Sequence, residues 1–426
     1  MNICVIGAGY VGLTTAAVLS DLGHHVTCVD INHNRIDMLK NGVVPIFEPG
    51  LKEMIIKNTS NNHLTFSTDV KVSIAENPFI FITVGTPSSG DGIPNLSFVH
   101  SVIDDIATSI TSYKIIIVKS TVPPGTNEEI VNMLIEKGVD PTLFDIVSNP
   151  EFLREGSAVK DMLEPDKIVI GVKKPELIQL IQKIYKEINA PYIVTNLTGA
   201  EMIKYAANAF LATKISFINE IARVCDAYNV NVKDVAFGIG LDPRIGPLFL
   251  QAGMGYGGSC FPKDLQGLTY AAKKKNLNPE LISSVQKVNE TQIDVYVNKL
   301  KTAVPSLEGK KITVWGLSFK PGTDDIRHSA SIRLIERLLE EGVSINTYDP
   351  VVQLKKPEIK CYQNIYESVK QSYILIIATE WAEFNQVNWK KVKNEMEGNI
   401  LLDGRNIIDP KTVQQAGFHY LGVGQH

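Results

Sequence analysis

At 426 residues, with 44% hydrophobic and 21% charged residues and a formal net charge of -4, the chain reads as a soluble globular protein of two to three domains. That balance leaves no electrostatic footprint for nucleic acid or an anionic membrane, and apolar runs such as Ile115-Ile116-Ile117-Val118 fall far short of the ~20 residues that span a bilayer. Five cysteines without CxxC spacing argue against a disulfide framework and against any metal site, and the absence of a signal-type leader after Met1 makes a cytoplasmic chain the expectation.

The first 195 residues alternate strands with helices, as in a parallel sheet covered on both faces. Ile3-Cys4-Val5-Ile6 is the first strand, and Gly7-Ala8-Gly9-Tyr10-Val11-Gly12 follows it and opens a helix. In that context Gly7, Gly9 and Gly12 allow a tight turn and let a pyrophosphate reach backbone N–H groups at the helix N-terminus. The second strand, His25-Val26-Thr27-Cys28-Val29, ends on Asp30, where a carboxylate accepts from ribose hydroxyls and repels a 2′-phosphate. NAD is therefore expected rather than NADP. Arg35 is a counterweight, read equally as a phosphate holder or as a solvated helix charge.

Later strands run through residues 79–84, 115–118, 145–147 and 168–170. Two strand ends feed polar loops, where open α/β sheets bind ligands: Thr121-Val122-Pro123-Pro124-Gly125-Thr126 and Asn149-Pro150-Glu151-Phe152-Leu153-Arg154-Glu155-Gly156. The period then changes, and residues 199–228 read as one long Ala-rich helix. Lys204 and Asn208 lie at i and i+4 on one of its faces, able to offer an ammonium and an amide to one oxygen; a solvated polar stripe would show the same spacing. Apolar residues occur around much of its circumference, which predicts a homodimer built on this region.

Cys260 stands apart from the other cysteines. Cys4, Cys28, Cys225 and Cys361 lie in or beside apolar elements and read as buried packing. Cys260 instead ends the run Gly253-Met254-Gly255-Tyr256-Gly257-Gly258-Ser259, whose glycines allow positive φ and close approach to a ligand. Pro262 opens a helix just after it, and Lys263 is its near neighbour. Both favour thiolate below the free pKa of about 8.5. A nucleophilic sulfur and a hydride acceptor in one chain point to oxidation through a thioester. Residues 305–309 form a linker, after which a second α/β alternation begins with Ile312-Thr313-Val314-Trp315. The two α/β regions show no detectable sequence repeat.

These motifs together resemble the UDP-glucose/GDP-mannose dehydrogenase family over essentially the whole chain. The likeness includes Gly7 to Gly12, Glu48-Pro49-Gly50-Leu51, Val84-Gly85-Thr86-Pro87, the Thr121 and Asn149 loops and the Cys260 loop, and extends to Asp403-Gly404-Arg405-Asn406. It implies two Rossmann-like α/β domains, residues 1–195 for NAD and 305–426 for UDP, joined by a central helical region at 196–304. It also implies two NAD-dependent oxidations of C6 of UDP-glucose to UDP-glucuronate, with Cys260 as nucleophile. Lys204 and Asn208 would hold oxyanion charge, while Asp264, Thr121 and Glu155 would handle protons and water.

By the same resemblance Val11, Asp30, Arg35, Thr86, Thr121, Glu155, Lys263 and Arg327 would contact NAD. Substrate would meet Glu151, Phe152, Leu153, Arg154, Glu155, Lys204, Asn208, Phe249-Leu250-Gln251-Ala252-Gly253, Gly257 and Lys320. Arg244 would reach the site of a neighbouring subunit. The loop bearing Lys320 and Arg327 lacks G-x-G-x-x-G, so it should hold the uridine nucleotide rather than a second NAD. His328, Ala330 and Gly322 depart from the common pattern there, and His328 reads as a surface residue. Two alternatives stay open: the same chemistry on a UDP-N-acetylhexosamine or GDP-mannose, and an NAD-binding sensor with a decayed site.

Overall fold

The computed structural model describes residues 1–89 and 92–425. By contact the chain divides into two units, Met1–Ala207 with Gln266–Leu277, and Asn208–Leu265 with Asn278–His426. Among the described residues no helix is long and apolar enough to cross a membrane.

The first unit is built on eight strands: β1 (Asn2–Ile6), β2 (His25–Val29), β3 (Leu64–Ser67), β4 (Phe79–Ile82), β5 (Lys114–Val118), β6 (Phe144–Ser148), β7 (Ile168–Val172) and β8 (Tyr192–Thr195). Their spatial order is β3-β2-β1-β4-β5-β6-β7-β8. The Ile- and Val-rich strands bury alternate residues on opposite faces. Ile3 and Val5 enter one apolar cluster, Cys4 and Ile6 the other. The expected all-parallel sheet needs one correction, because β7 runs antiparallel to β6, with Val147 opposite Val172. An antiparallel neighbour needs no crossover helix. The connection carries the Asn149 loop and one short helix, Ala158–Leu163.

In the second unit the strands are β9 (Lys311–Trp315), β10 (Ser344–Tyr348), β11 (Ile359–Tyr362), β12 (Ile374–Ile377), β13 (Ile400–Asp403) and β14 (His419–Leu421). The order β11-β10-β9-β12-β13-β14 repeats that of the first six strands. The repeat reaches single hydrogen bonds. Gly7 N–H donates to the Val29 carbonyl at 2.7 Å, and Gly316 N–H to the Tyr348 carbonyl at 2.8 Å. Ala8 N–H donates to Asp30 Oδ2 at 2.8 Å, and Leu317 N–H to Asp349 Oδ2 at 2.7 Å. Both glycines have positive φ, +106° and +93°. The equivalent positions carry the same residue types, Gly7 and Gly316, Asp30 and Asp349, although the two regions show no longer repeat in sequence.

The long helix spans Leu197–Tyr228, and the division between units falls within it. Its 32 residues give it a length of about 48 Å. In the second unit Ile218, Ala222 and Cys225 pack with Val232, Leu250, Met254 and Tyr296. On another face Phe210, Phe217, Val224 and Tyr228 are exposed, the first three at heptad spacing. Cys4, Cys28 and Cys225 are buried as expected, but Cys361 is only half-buried. It lies on the edge strand β11, where one side of the ladder has no neighbour to cover it.

Candidate active site

In the first unit the sheet's topological switch point lies between β1 and β4, and the glycine turn sits at their C-terminal ends. A Cβ on Gly12 would stand 1.7 Å from the Gly7 carbonyl oxygen, so no side chain fits there. The turn is thus held tight enough for phosphates to meet bare backbone at the start of the Tyr10–Asp21 helix. Asp30 accepts from Ala8 N–H and Asn32 N–H and pairs with Arg35 Nη1 at 3.2 Å. The donor set fits NAD, with a carboxylate where a ribose would lie.

The other loops at this sheet edge are tied to one another. Thr86 Oγ1 donates to the Thr121 carbonyl at 2.8 Å, and Ser120 Oγ to the Val84 carbonyl at 2.7 Å. Gly156 N–H donates to Tyr10 Oη and to Glu48 Oε2, both at 2.7 Å, which anchors the loop bearing Glu155. Glu151 is buried and pairs with the buried Lys204 ammonium at 3.1 Å. The Phe152 ring lies beneath Lys204 Nζ at 5.3 Å. Arg154 instead projects outward, its guanidinium paired with Asp161 at 2.5 Å.

Behind Glu151 lies a residue that sequence reading passed over. Lys119 is buried, and burial pushes its amine down to about 8 against the attraction of Glu151. Its Nζ is 3.5 Å from Asn149 Oδ1, which also accepts from Tyr185 Oη at 2.6 Å. A lysine at a strand end gives no signal of such burial until the sheet is assembled.

In the second unit the Cys260 carbonyl accepts from Asp264 N–H at 2.8 Å, so Cys260 caps the helix Phe261–Lys274. Its thiol is half-buried, with Ser259 Oγ at 3.6 Å. Asp264, in the first turn, is almost wholly buried; its Oδ2 accepts from Asn208 Nδ2 at 2.6 Å and its Oδ1 pairs with Lys263 at 2.6 Å. Two expected site residues, Asn208 and Lys263, therefore converge on the carboxylate of a third, Asp264. Two of the glycines before Cys260 also allow a close approach within the protein. A Cβ on Gly257 would stand 2.3 Å from the His328 carbonyl oxygen, and one on Gly258 would stand 2.8 Å from the Phe319 ring. They seat the thiol loop on the loop after β9, where Gly258 N–H donates to the Arg327 carbonyl at 2.9 Å. His328 is exposed, and Arg327 pairs with Asp325 at 2.7 Å.

A cavity of about 680 Å³ in this unit is lined by residues 249–253, Gly257, Phe319, Lys320 and Arg405. Asn219 on the long helix accepts from Gly253 N–H at 2.8 Å, and Gln292 donates to the Gly253 carbonyl at 2.8 Å, so that stretch is rigidly held. Arg244 lies apart, largely exposed and paired with Asp242 at 2.6 Å. In the second sheet's counterpart of the Asp30 position, Asp349 is fully engaged. It accepts from Leu317, Val351 and Val352 N–H and from the Trp381 indole at 3.3 Å. No acceptor lone pair is left there for a ribose, whereas the Lys320 cavity is large enough for a nucleotide.

Three family models cover the chain in order. The NAD binding domain of UDP-glucose/GDP-mannose dehydrogenases matches residues 1–189, their central domain 198–291 and their UDP binding domain 313–410. The chain belongs to the UDP-glucose/GDP-mannose dehydrogenase family. It is accordingly an NAD-dependent nucleotide-sugar dehydrogenase. A Bacillus subtilis (strain 168) relative, YtcA, provisionally named a UDP-glucose 6-dehydrogenase, is 50% identical over the whole of both chains. The UDP-glucose 6-dehydrogenase YwqF of the same strain is 42% identical over 100% of this chain and 98% of its own. Among solved structures, a UDP-glucose dehydrogenase from Pyrobaculum islandicum matches with a TM-score of 0.93 at 34% identity, covering 100% and 98% of the two chains.

Family membership settles the cofactor, and Asp30 then carries a prediction. Asp30→Ala should weaken NAD by about tenfold, the worth of a charged hydrogen bond, and leave NADP nearly unchanged. Titration of both cofactors by protein fluorescence reads this, and equal losses for the two would remove Asp30 as the discriminating group. Two further residues of the family's motifs went unassigned in the sequence. Arg405 lines the cavity and is steered by the Ala378 carbonyl at 2.7 Å and by Glu380 at 3.2 Å. Glu201 is buried within the Glu201-to-Asn208 segment. Both stood inside recognised motifs, but only their contacts show what they hold.

Proposed function

We propose that this dehydrogenase oxidises C6 of UDP-glucose twice, giving UDP-glucuronate through a thioester on Cys260. The observation that carries the reading is Cys260 itself: a half-exposed thiol at a helix N-cap, beside the Asn208–Asp264–Lys263 cluster. UDP-glucose is favoured because relatives bearing that substrate's name are 40–50% identical over the full chain. A UDP-D-ManNAc dehydrogenase structure from Pyrococcus horikoshii stands at 30%.

The alcohol first loses a hydride and a proton, giving an aldehyde. The Cys260 thiolate adds to its carbonyl carbon, forming a thiohemiacetal. Loss of a second hydride and proton gives the thioester; water then adds, the C–S bond breaks, and carboxylate and thiol remain. NAD supplies the hydride acceptor for each oxidation, so one alcohol, two NAD⁺ and one water give one carboxylate, two NADH and three protons. Lys204 and Asn208, one helical turn apart, stabilise the alkoxide and tetrahedral oxyanions. Glu151 holds the Lys204 ammonium in place, while Asp264, Thr121 and Glu155 move protons and position water. Lys320 and Arg405 offer cations to the diphosphate in the cavity beside residues 249–253. Residues 1–195, 196–304 and 305–426 then act as NAD-binding, helical catalytic and UDP-binding segments.

The experiment is to count NADH per sugar across UDP-glucose, UDP-N-acetylhexosamines and GDP-mannose. Two NADH per UDP-glucose, with little turnover of the others, is expected. A preference for another sugar would transfer the chemistry to that substrate. The exposed stripe of Phe210, Phe217 and Val224 supports a homodimer in which Arg244 completes the partner's site. Phe217→Asp should therefore shift the protein to monomer in sedimentation equilibrium and lower kcat more than tenfold. A fully active monomer would exclude both the interface and the shared arginine.

A further inference from the structure

Glu201 is a buried carboxylate on the helix face that, one and two turns on, presents Lys204 and Asn208. It does not point at the Lys204–Glu151 pair. Its Oε2 accepts from Gly125 N–H at 2.6 Å, and its Oε1 from Asn127 N–H and Asn127 Nδ2, both at 2.7 Å. Gly125, at φ +98°, is the N-cap of the Thr126–Glu136 helix and has no capping side chain of its own. Glu201 thus supplies from another helix the cap that local sequence lacks. Burial raises its carboxyl to about 7 even against these three donors. A carboxylate so costly to bury is retained here against that cost by the three donors it holds.

What it grips is the loop that carries Thr121. That loop is fixed at its other end, where the Thr121 carbonyl accepts from Thr86 Oγ1. Thr86 and Thr121 follow β4 and β5, on the side of the switch point opposite Asp30. In a doubly wound sheet the carboxylate after β2 takes the adenosine ribose, and the β4–β6 half takes the nicotinamide half of the dinucleotide. We propose that Glu201 is a positioning residue for the nicotinamide half of NAD, setting the Thr121–Gly125 loop in register with the helix that bears Lys204. The proposal rests on NAD as cofactor and is independent of which sugar is oxidised.

The test compares binding of NAD with that of ADP-ribose, which keeps the Asp30 contacts and lacks the nicotinamide. Glu201→Gln preserves shape but turns one acceptor into a donor facing an N–H group. NAD affinity should fall about tenfold, as for loss of one charged hydrogen bond, while ADP-ribose affinity changes less than twofold. Asn127→Ala removes one of the three donors without touching the long helix; it should weaken NAD about threefold, again sparing ADP-ribose. It decides the matter if Glu201→Gln does not fold. Equal losses of NAD and ADP-ribose, or no loss of either, would overturn the proposal. Failure of UDP-glucose as substrate would leave these binding results unaltered, so the two readings fail separately.

Discussion

Cys260→Ala is expected to bind UDP-glucose and NAD within about threefold of the unmutated protein and to form no UDP-glucuronate in single turnover. The cap on the Phe261–Lys274 helix is the Cys260 backbone carbonyl, which alanine keeps. Binding should survive for that reason. Acid formation needs a carbon–sulfur bond, and removing a nucleophile costs on the order of 10⁴-fold or more. The unmutated protein should release two NADH per sugar. Cys260→Ser should stall at a slowly hydrolysed ester, because an alkoxide is a poorer leaving group than a thiolate. Acid formed by Cys260→Ala at the normal rate would discard the thioester.

The second large effect is at Lys204, where stability and chemistry can be separated. Lys204 and Glu151 are both buried, at 4% and 7% side-chain exposure, and pair at 3.1 Å. Lys204→Met strands the Glu151 carboxylate and should cost about 3–5 kcal/mol in stability. It should also lower kcat by about 10²–10³-fold, the scale of losing an oxyanion donor. Adding Glu151→Gln removes the stranded charge. The double variant should recover most of the lost denaturation midpoint while turnover stays low. If activity returned together with stability, Lys204 would serve the fold alone.

Much of this site was legible because local backbone geometry writes itself into residue type. Gly7 and Gly12 occupy places where only a bare backbone fits, and Asp30 one where a carboxylate takes two backbone N–H groups, and their spacing is legible in the chain. The long helix was read within two residues of its start because a 3.6-residue period runs unbroken by proline. The glycines before Cys260 were also seen, but not the protein groups that they meet. Positive φ and close approach are the same signal whether the neighbour is a ligand or, as here, the His328 carbonyl and the Phe319 ring. Strands β3 and β8, four-residue strands at the two edges of the sheet, were missed, as were β11, β13 and β14.

The chain by itself determined the two α/β regions, the helix between them and the cofactor, since each is written in short-range patterns of residue type. Only the tertiary structure decided which polar side chains meet. Glu201 with Gly125, Lys204 with Glu151, and Asn208 with Asp264 are 76, 53 and 56 residues apart in sequence. No periodicity links such pairs. They are brought together by sheet order and by one long helix, and burial then makes each an obligation, because a polar group removed from water must find its partner. The antiparallel β7 arose the same way, from packing rather than from any residue that announces it.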